Sequence, residues 1–271
     1  MRLHFVLTLS ALLLLLPACR EKGSDRQRQE LPSDVKDAAG VIASKNPERF
    51  AGACSYPVLR PYPLRDITDS AEMVKYYEIL VDDSLRDVVR HAPDADWSEF
   101  GWRGWTLLDG EYVWIDDGRI YDIPYVSAAE KSLRDILVER EMSTLPKDMR
   151  RGWTPVECLH DLDDGSIYRI DMSTDSDADP DSLYRIAVYS ASSPMTLPPT
   201  RVMRGTMKVE GSAAVRTYYF RDASGTSVEY SPDIPDDGQD LSVIFKRTGE
   251  SPEAHRVVKA YWRDWFSPDR K

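Results

Sequence analysis

The side chains able to do chemistry are few and widely spaced. The histidines are His4, His91, His160 and His255. None stands at the i, i+4 or H-x-E spacing that brings zinc ligands together on one helix. Asp171, Asp175, Asp177, Asp179 and Asp181 form an acidic run rich in oxygen ligands. A calcium loop of the EF-hand kind needs Gly at its sixth position and Glu at its twelfth. Counted from Asp175, those positions hold Pro180 and Ile186. Ser33 and Lys36 have the S-x-x-K spacing of a serine nucleophile with a lysine base, but no S-D-N or K-T-G segment follows. Phosphate-cradling glycine loops and a G-x-S-x-G elbow are also missing. The sequence therefore predicts no catalytic residue, no metal site and no cofactor. Its densest feature is aromatic: Trp97, Trp102, Trp105, Tyr112, Trp114, Tyr121 and Tyr125 crowd one stretch. Trp and Tyr combine large area with a polar handle. Trp102, Trp105, Tyr112, Trp114 and Tyr121 are thus candidate ligand-binding residues, for sugar rings or a protein partner, with core packing as the alternative.

Cysteine offers a different chemistry. Arg2 precedes an apolar run from Phe5 to Leu16, the shape of a secretory signal and too short to span a bilayer. The run ends in Leu16-Pro17-Ala18-Cys19. This resembles the bacterial lipobox, with an apolar residue at −3, a small one at −1 and then Cys; Pro17 departs from the commoner Ala, Ser or Thr. The resemblance implies that residues 1–18 are a cleaved signal peptide and that Cys19 carries diacylglycerol. The alternative is an ordinary cleaved signal beside an unrelated cysteine. Two or three acyl chains, at ~0.8 kcal/mol per buried CH₂, anchor a protein without any helix. The expected location is the bacterial cell envelope, periplasm-facing or at the cell surface, with the membrane as partner through Cys19. Cys54 and Cys158 remain. An oxidising compartment permits a disulfide between them, and two buried free thiols are the alternative.

The chain has 271 residues and a net charge of −11, which becomes −12 once Arg2 leaves with the signal. That balance argues against nucleic acid as a partner, since phosphate binding needs clustered Lys and Arg. A hydrophobic fraction of 42% supplies a core. Residues 19–32 hold one large apolar residue, Leu31, and read as a tether.

The elements come in two sets. Ser33, read as the N-cap, opens a helix with Val35, Ala38, Ala39, Val41 and Ile42 at helical spacing; Asn46-Pro47 opens a second. Asp69 and Glu72 form a capping box ahead of an apolar face of Met73, Tyr76, Tyr77, Ile79 and Leu80. Asp82 starts a further helix ending near His91, and Ser127 with Glu130 starts another ending near Met142. Between them, Asp109-Gly110 and Asp116-Asp117-Gly118 predict turns joining three strands. That register places Trp105 opposite Trp114, both facing the 69–91 helices, and makes the sheet apolar on both faces. From Trp153 the period switches to two, giving eight strands without intervening helices. The expected fold class is α+β: N-terminal helices packed on a curved antiparallel sheet (33–142), a linker (143–152), and a mostly antiparallel β barrel or sandwich (153–271).

Over residues 33–125, about a third of the chain, this order of elements with the Tyr56-Pro57 step resembles the nuclear-transport-factor-like (SnoaL-like) cone fold. The resemblance implies helices packed into a curved sheet around an apolar pocket. Some members are isomerases or cyclases that use an Asp/His pair in the cone. No such pair maps here, because His91 follows a helix and no other His lies in 33–150. The leading expectation is a non-enzymatic envelope lipoprotein that binds a protein or a small apolar or glycan ligand. The alternative is an enzyme, isomerase- or hydrolase-like, with its site in the N-terminal pocket.

Overall fold

Five helices begin where short polar side chains can accept from orphan backbone N–H groups or where proline can enter. α1 (Ser33–Ile42) follows Pro32, so Ser33 is its first residue and not its cap, and it buries Val35, Ala38 and Ile42. In α2 (Pro47–Ala53), Asn46 accepts from the Arg49 N–H at 2.8 Å and Pro47 fills the first turn. In α3 (Ser70–Leu80), Asp69 accepts from the Glu72 N–H, and Glu72 reaches back to the N–H and hydroxyl of Thr68, each at 2.9 Å. Asp82 caps α4 (Asp83–His91), and Ser127 caps α5 (Ala128–Thr144). The computed structural model describes residues 30–101, 104–210, 215–232, 241–246 and 249–261. Cys19, the signal segment, most of the tether and Trp102 lie outside them.

A small antiparallel sheet, β1 (Trp97–Glu99), β2 (Trp105–Leu107), β3 (Trp114–Asp116) and β4 (Arg119–Asp122), packs against these helices. Its register differs from the expected one by a residue: Trp105 pairs with Ile115, and Thr106 with Trp114. The cause is the turn. Leu108 and Asp109 adopt left-handed φ of 50° and 54°, and Gly110 follows at 88°, so the reversal consumes residues 108 to 113 instead of two. One slip exchanges faces. Trp105 is buried with Leu107, Val113, Ile115 and Ile120 in a cluster that includes Met73, Tyr77 and Leu80. Trp114 turns away, is half-buried, and meets Phe100 edge-on at 5.4 Å. The sheet is apolar on one face, as a half-solvated antiparallel sheet should be.

The second set of strands closes. β5 (Trp153–Asp161), β6 (Ile167–Ser173), β7 (Tyr184–Tyr189), β8 (Arg201–Glu210), β9 (Val215–Arg221), β10 (Ser227–Tyr230), β11 (Ser242–Lys246) and β12 (Glu253–Lys259) pair in chain order, and β12 returns to β5. The result is a closed antiparallel barrel and not a sandwich. Leu159, Tyr168, Ile186, Phe220, Val228 and Val243 fill its interior, as expected for eight strands. Gly205 is required there, because a Cβ would strike the Tyr219 carbonyl oxygen at 1.8 Å. Asp171 belongs to this frame and not to the acidic loop: it is buried in β6 between Arg169 and Arg185, at 2.8 Å from each.

Residues 143–152 are not an open linker. They hold α6 (Lys147–Arg150), with Leu145 and Met149 buried. These two, Met142 and Tyr62 pack on Cys158, Ala187 and Tyr189 of the barrel's outer wall. Arg169 also meets Glu141 of α5, and Arg185 donates to the Met149 carbonyl at 2.5 Å. The helical part and the barrel thus share a buried seam laced with ion pairs. Cys54 is buried in the N-terminal cluster and Cys158 in the seam, and both are free. The disulfide alternative is therefore corrected: each thiol fills a different apolar cluster. Among the described residues no helix is long and apolar enough to cross a membrane.

A candidate binding cavity at the seam

β5 begins irregularly. Its register with β6 shifts between Pro155 and Glu157. Pro155 has no N–H to give the ladder, and a bulge of this kind re-aims the following side chains. Glu157 thereby lies buried at the barrel mouth. The other wall of the strand pair supplies Lys259, which β12 sets opposite Leu159. The Lys259 ammonium lies 3.8 Å from Glu157 Oε1 and 3.2 Å from Asp66 Oδ2. Asp66 comes from the extended chain between α2 and α3. It also accepts from the Tyr261 hydroxyl and from the Arg60 N–H, each at 2.9 Å.

That extended chain is held by a buried ion pair. The Arg60 guanidinium forks onto Glu130 of α5 at 2.6 and 2.5 Å and donates to the carbonyls of Ile123 and Tyr125. Arg60 thus fastens the 57–67 segment, the end of β4 and α5 to one another. The chain around Tyr62 is fixed further by Arg134, which donates to the Tyr62 carbonyl at 2.9 Å, and by the Tyr62 hydroxyl on Glu141.

Between these walls lies a cavity of about 320 Å³. The N-terminal part contributes Tyr62 and Asp122; the barrel contributes Glu157, Tyr218 and Lys259. Tyr62 and Tyr261 stack beside it with ring centres 6.4 Å apart. Burial pushes the Glu157 carboxyl above its ordinary range, outweighing the nearby Lys259 ammonium and Tyr230 hydroxyl. Burial also raises Asp122, against the hydrogen bond that its carboxylate accepts from the Ile123 N–H at 2.7 Å. The cavity therefore offers two carboxyls poised to gain a proton, an ammonium, phenols and ring faces. It can donate and accept hydrogen bonds around a small polar ligand.

A second polar cluster sits where β5 turns into β6. Asp161, Asp164 and His255 each bring one ligand atom within 4.8 Å of the others. Asp161 is already occupied: its carboxylate accepts from the Tyr168 hydroxyl and the N–H groups of Asp163 and Asp164, and lies 2.7 Å from His255 Nδ1. Burial raises its pKa, but those donors outweigh it and hold it below the usual range. Its evident work is to close the turn.

The aromatic residues singled out from sequence do not form one surface. Trp105 is core; Tyr112 is half-buried and stacks on Tyr125 at 5.7 Å; Tyr121 is 54% exposed. Trp102 lies outside the described residues, and none of the others lines the cavity. The residues that do were overlooked, above all Glu157 and Lys259, as was Asp66, which holds the Lys259 ammonium from 193 positions away. One local signal existed: Pro155 and Glu157 interrupt an otherwise apolar strand. A scan against protein-family models and searches of curated proteins and solved structures return no match.

Proposed function

We propose that this protein is a lipid-anchored component of the bacterial cell envelope that holds a small polar ligand, of the size and chemistry of a glycan fragment, in the seam cavity. The observation that carries the reading is the lining itself: stacked tyrosines beside buried Glu157 and half-buried Asp122 and Lys259, around about 320 Å³. A fatty chain would offer no hydrogen bonds to these polar groups. Sugar hydroxyls satisfy both donors and acceptors, and sugar faces suit Tyr rings. The anchor rests on Leu16-Pro17-Ala18-Cys19. Replacing Cys19 with Ala should abolish fatty-acid labelling and release the protein from membranes; a variant that stays labelled and membrane-bound overturns the anchor.

For the ligand, N-acetylglucosamine disaccharide and laurate are the discriminating probes. The disaccharide should raise the melting temperature of the wild-type chain, and Glu157→Gln should weaken that shift. Stabilisation by laurate alone would reverse the reading. One observation favours an enzyme as second reading: a carboxyl whose pKa burial raises, set in a cavity, suits a general acid. It moves the alternative from the N-terminal pocket, which is packed beneath Trp105, to Glu157. Turnover of a bound saccharide, lost in Glu157→Gln, would establish it.

A further inference from the structure

The outer wall of the barrel carries charge of the opposite sign to the whole. The chain is at −11. Across four adjacent strands, however, the register aligns Arg204, Arg221, Ser227 and Lys246 in one transverse row. Their neighbours along each strand, Met203, Phe220, Val228 and Phe245, belong to or pack against the barrel interior. The row therefore points outward, and Arg204, Arg221 and Lys246 are all exposed. Adjacent strands lie about 5 Å apart, so Arg204 and Arg221 are immediate neighbours and Lys246 stands ~10 Å further on. Like charges directly opposite one another destabilise a sheet.

The surroundings of the row fit an interface more closely than open water. The Arg204 guanidinium lies 4.9 Å from the Trp153 ring centre, and the Lys208 ammonium 5.4 Å from that of Tyr219. Val202, on the outward side of the same strand, is 42% exposed. Among the described side chains, the acid at an outward position of β8–β11 is Glu229, and Asp222, directly after β9, lies 3.8 Å from Arg201. Cations interleaved with Trp, Tyr and an exposed aliphatic side chain match the headgroup layer of a bilayer. There the charge meets anionic lipid, and rings and aliphatic groups sit at the boundary.

We infer that the outer face of β8–β11 docks on an anionic phospholipid surface through Arg204, Arg221 and Lys246. The inference extends the lipid-anchored reading: the anchor confers residence, and this face sets which side of the barrel lies against the membrane. An acidic body would otherwise stand off an anionic bilayer, so the row must act locally, within a Debye length of about 10 Å.

The test separates this docking from the anchor. The chain from residue 20 onward lacks the lipidated cysteine and contains every described element. It is mixed with vesicles of phosphatidylcholine alone or with phosphatidylglycerol added, and sedimentation measures partitioning. Binding to the anionic vesicles only is expected, with loss at high salt. A cation near such a surface is worth about five-fold in partitioning. The variant Arg204→Gln/Arg221→Gln/Lys246→Gln should then bind about a hundred-fold less, with its melting temperature retained. A control, Lys36→Gln/Lys45→Gln/Lys131→Gln, removes the same net charge from the helical part and should bind like the wild type. Equal partitioning onto neutral vesicles, an unaffected row variant, or a control that loses as much as the row variant would each overturn the inference. None of these outcomes bears on acylation of Cys19, which fatty-acid labelling tests separately.

Discussion

Removing one partner of the Arg60–Glu130 pair should reveal how firmly the cavity's N-terminal wall is held. The two side chains are 1% and 0% exposed and meet in a two-pronged contact. Glu130→Gln keeps the shape but leaves a guanidinium buried without a counter-charge, and Arg cannot shed its proton. Breaking such a pair costs about 3–5 kcal/mol. At ~2–4 °C per kcal/mol for a protein of this size, the melting temperature should fall by roughly 6–20 °C. Arg60→Met should behave differently with pH. Burial already pushes Glu130 above its ordinary range with Arg60 in place. Without Arg60 the carboxyl rises further and can be buried neutral. A folded-state pKa raised above the unfolded value gives stability that is present at low pH and lost as pH rises through it. Arg60→Met should therefore be more stable at about pH 5 than at about pH 8, whereas the Glu130→Gln deficit stays constant over that range. Melting curves at both pH values provide the measurement. If Glu130→Gln melts within about 1 kcal/mol of wild type, or the two variants share one pH dependence, the pair is not the buried clamp described.

Three further outcomes are expected. Trp105→Ala should destabilise the helical part by about 3–5 kcal/mol and Trp114→Ala by about 1 kcal/mol, because the first is core and the second half-buried; equal losses in urea melts would restore the register in which both face the helices. Cys54 and Cys158 should be silent to a thiol reagent in the folded protein and count as two free thiols after unfolding without reductant, since burial encloses both and pushes the Cys54 thiol up to about 12; a mass two hydrogens lighter after unfolding would reveal a bridge. Glu157 and Asp122 both carry raised pKa values, so their contribution to stability is full below the ordinary carboxylate range and declines as pH rises through the raised values. Glu157→Gln should flatten that decline, and an unchanged pH profile would place its carboxyl in water.

Local chemistry was legible in the sequence and distant pairing was not. Asp69 with Glu72, Asn46 with Pro47, and Ser127 with Glu130 announce helix starts because cap and orphan N–H lie within one turn. Period-two alternation located β5 to β11 within two residues, but it set the last strand at Arg256–Phe266, whereas β12 runs Glu253–Lys259 and residues 262–266 lie outside the described ones. Closure depends on Val257 meeting Asp161 across the whole domain, and no local pattern encodes that. The Trp105–Trp114 register failed because Leu108, a γ-branched residue, takes a φ normally left to Gly or Asn. The cavity stayed hidden for a related reason. Its charged residues, Arg60, Asp122, Glu157, Arg216 and Lys259, come from five separate segments, and each alone reads as ordinary surface.

A crystal structure of the chain from residue 20 onward, grown with N-acetylglucosamine disaccharide, tests the central claim most directly. The account predicts sugar density between Tyr62, Asp122, Glu157 and Lys259, with a ring face against a tyrosine. Density on the Trp114–Tyr121 face, with the seam cavity empty, would contradict it.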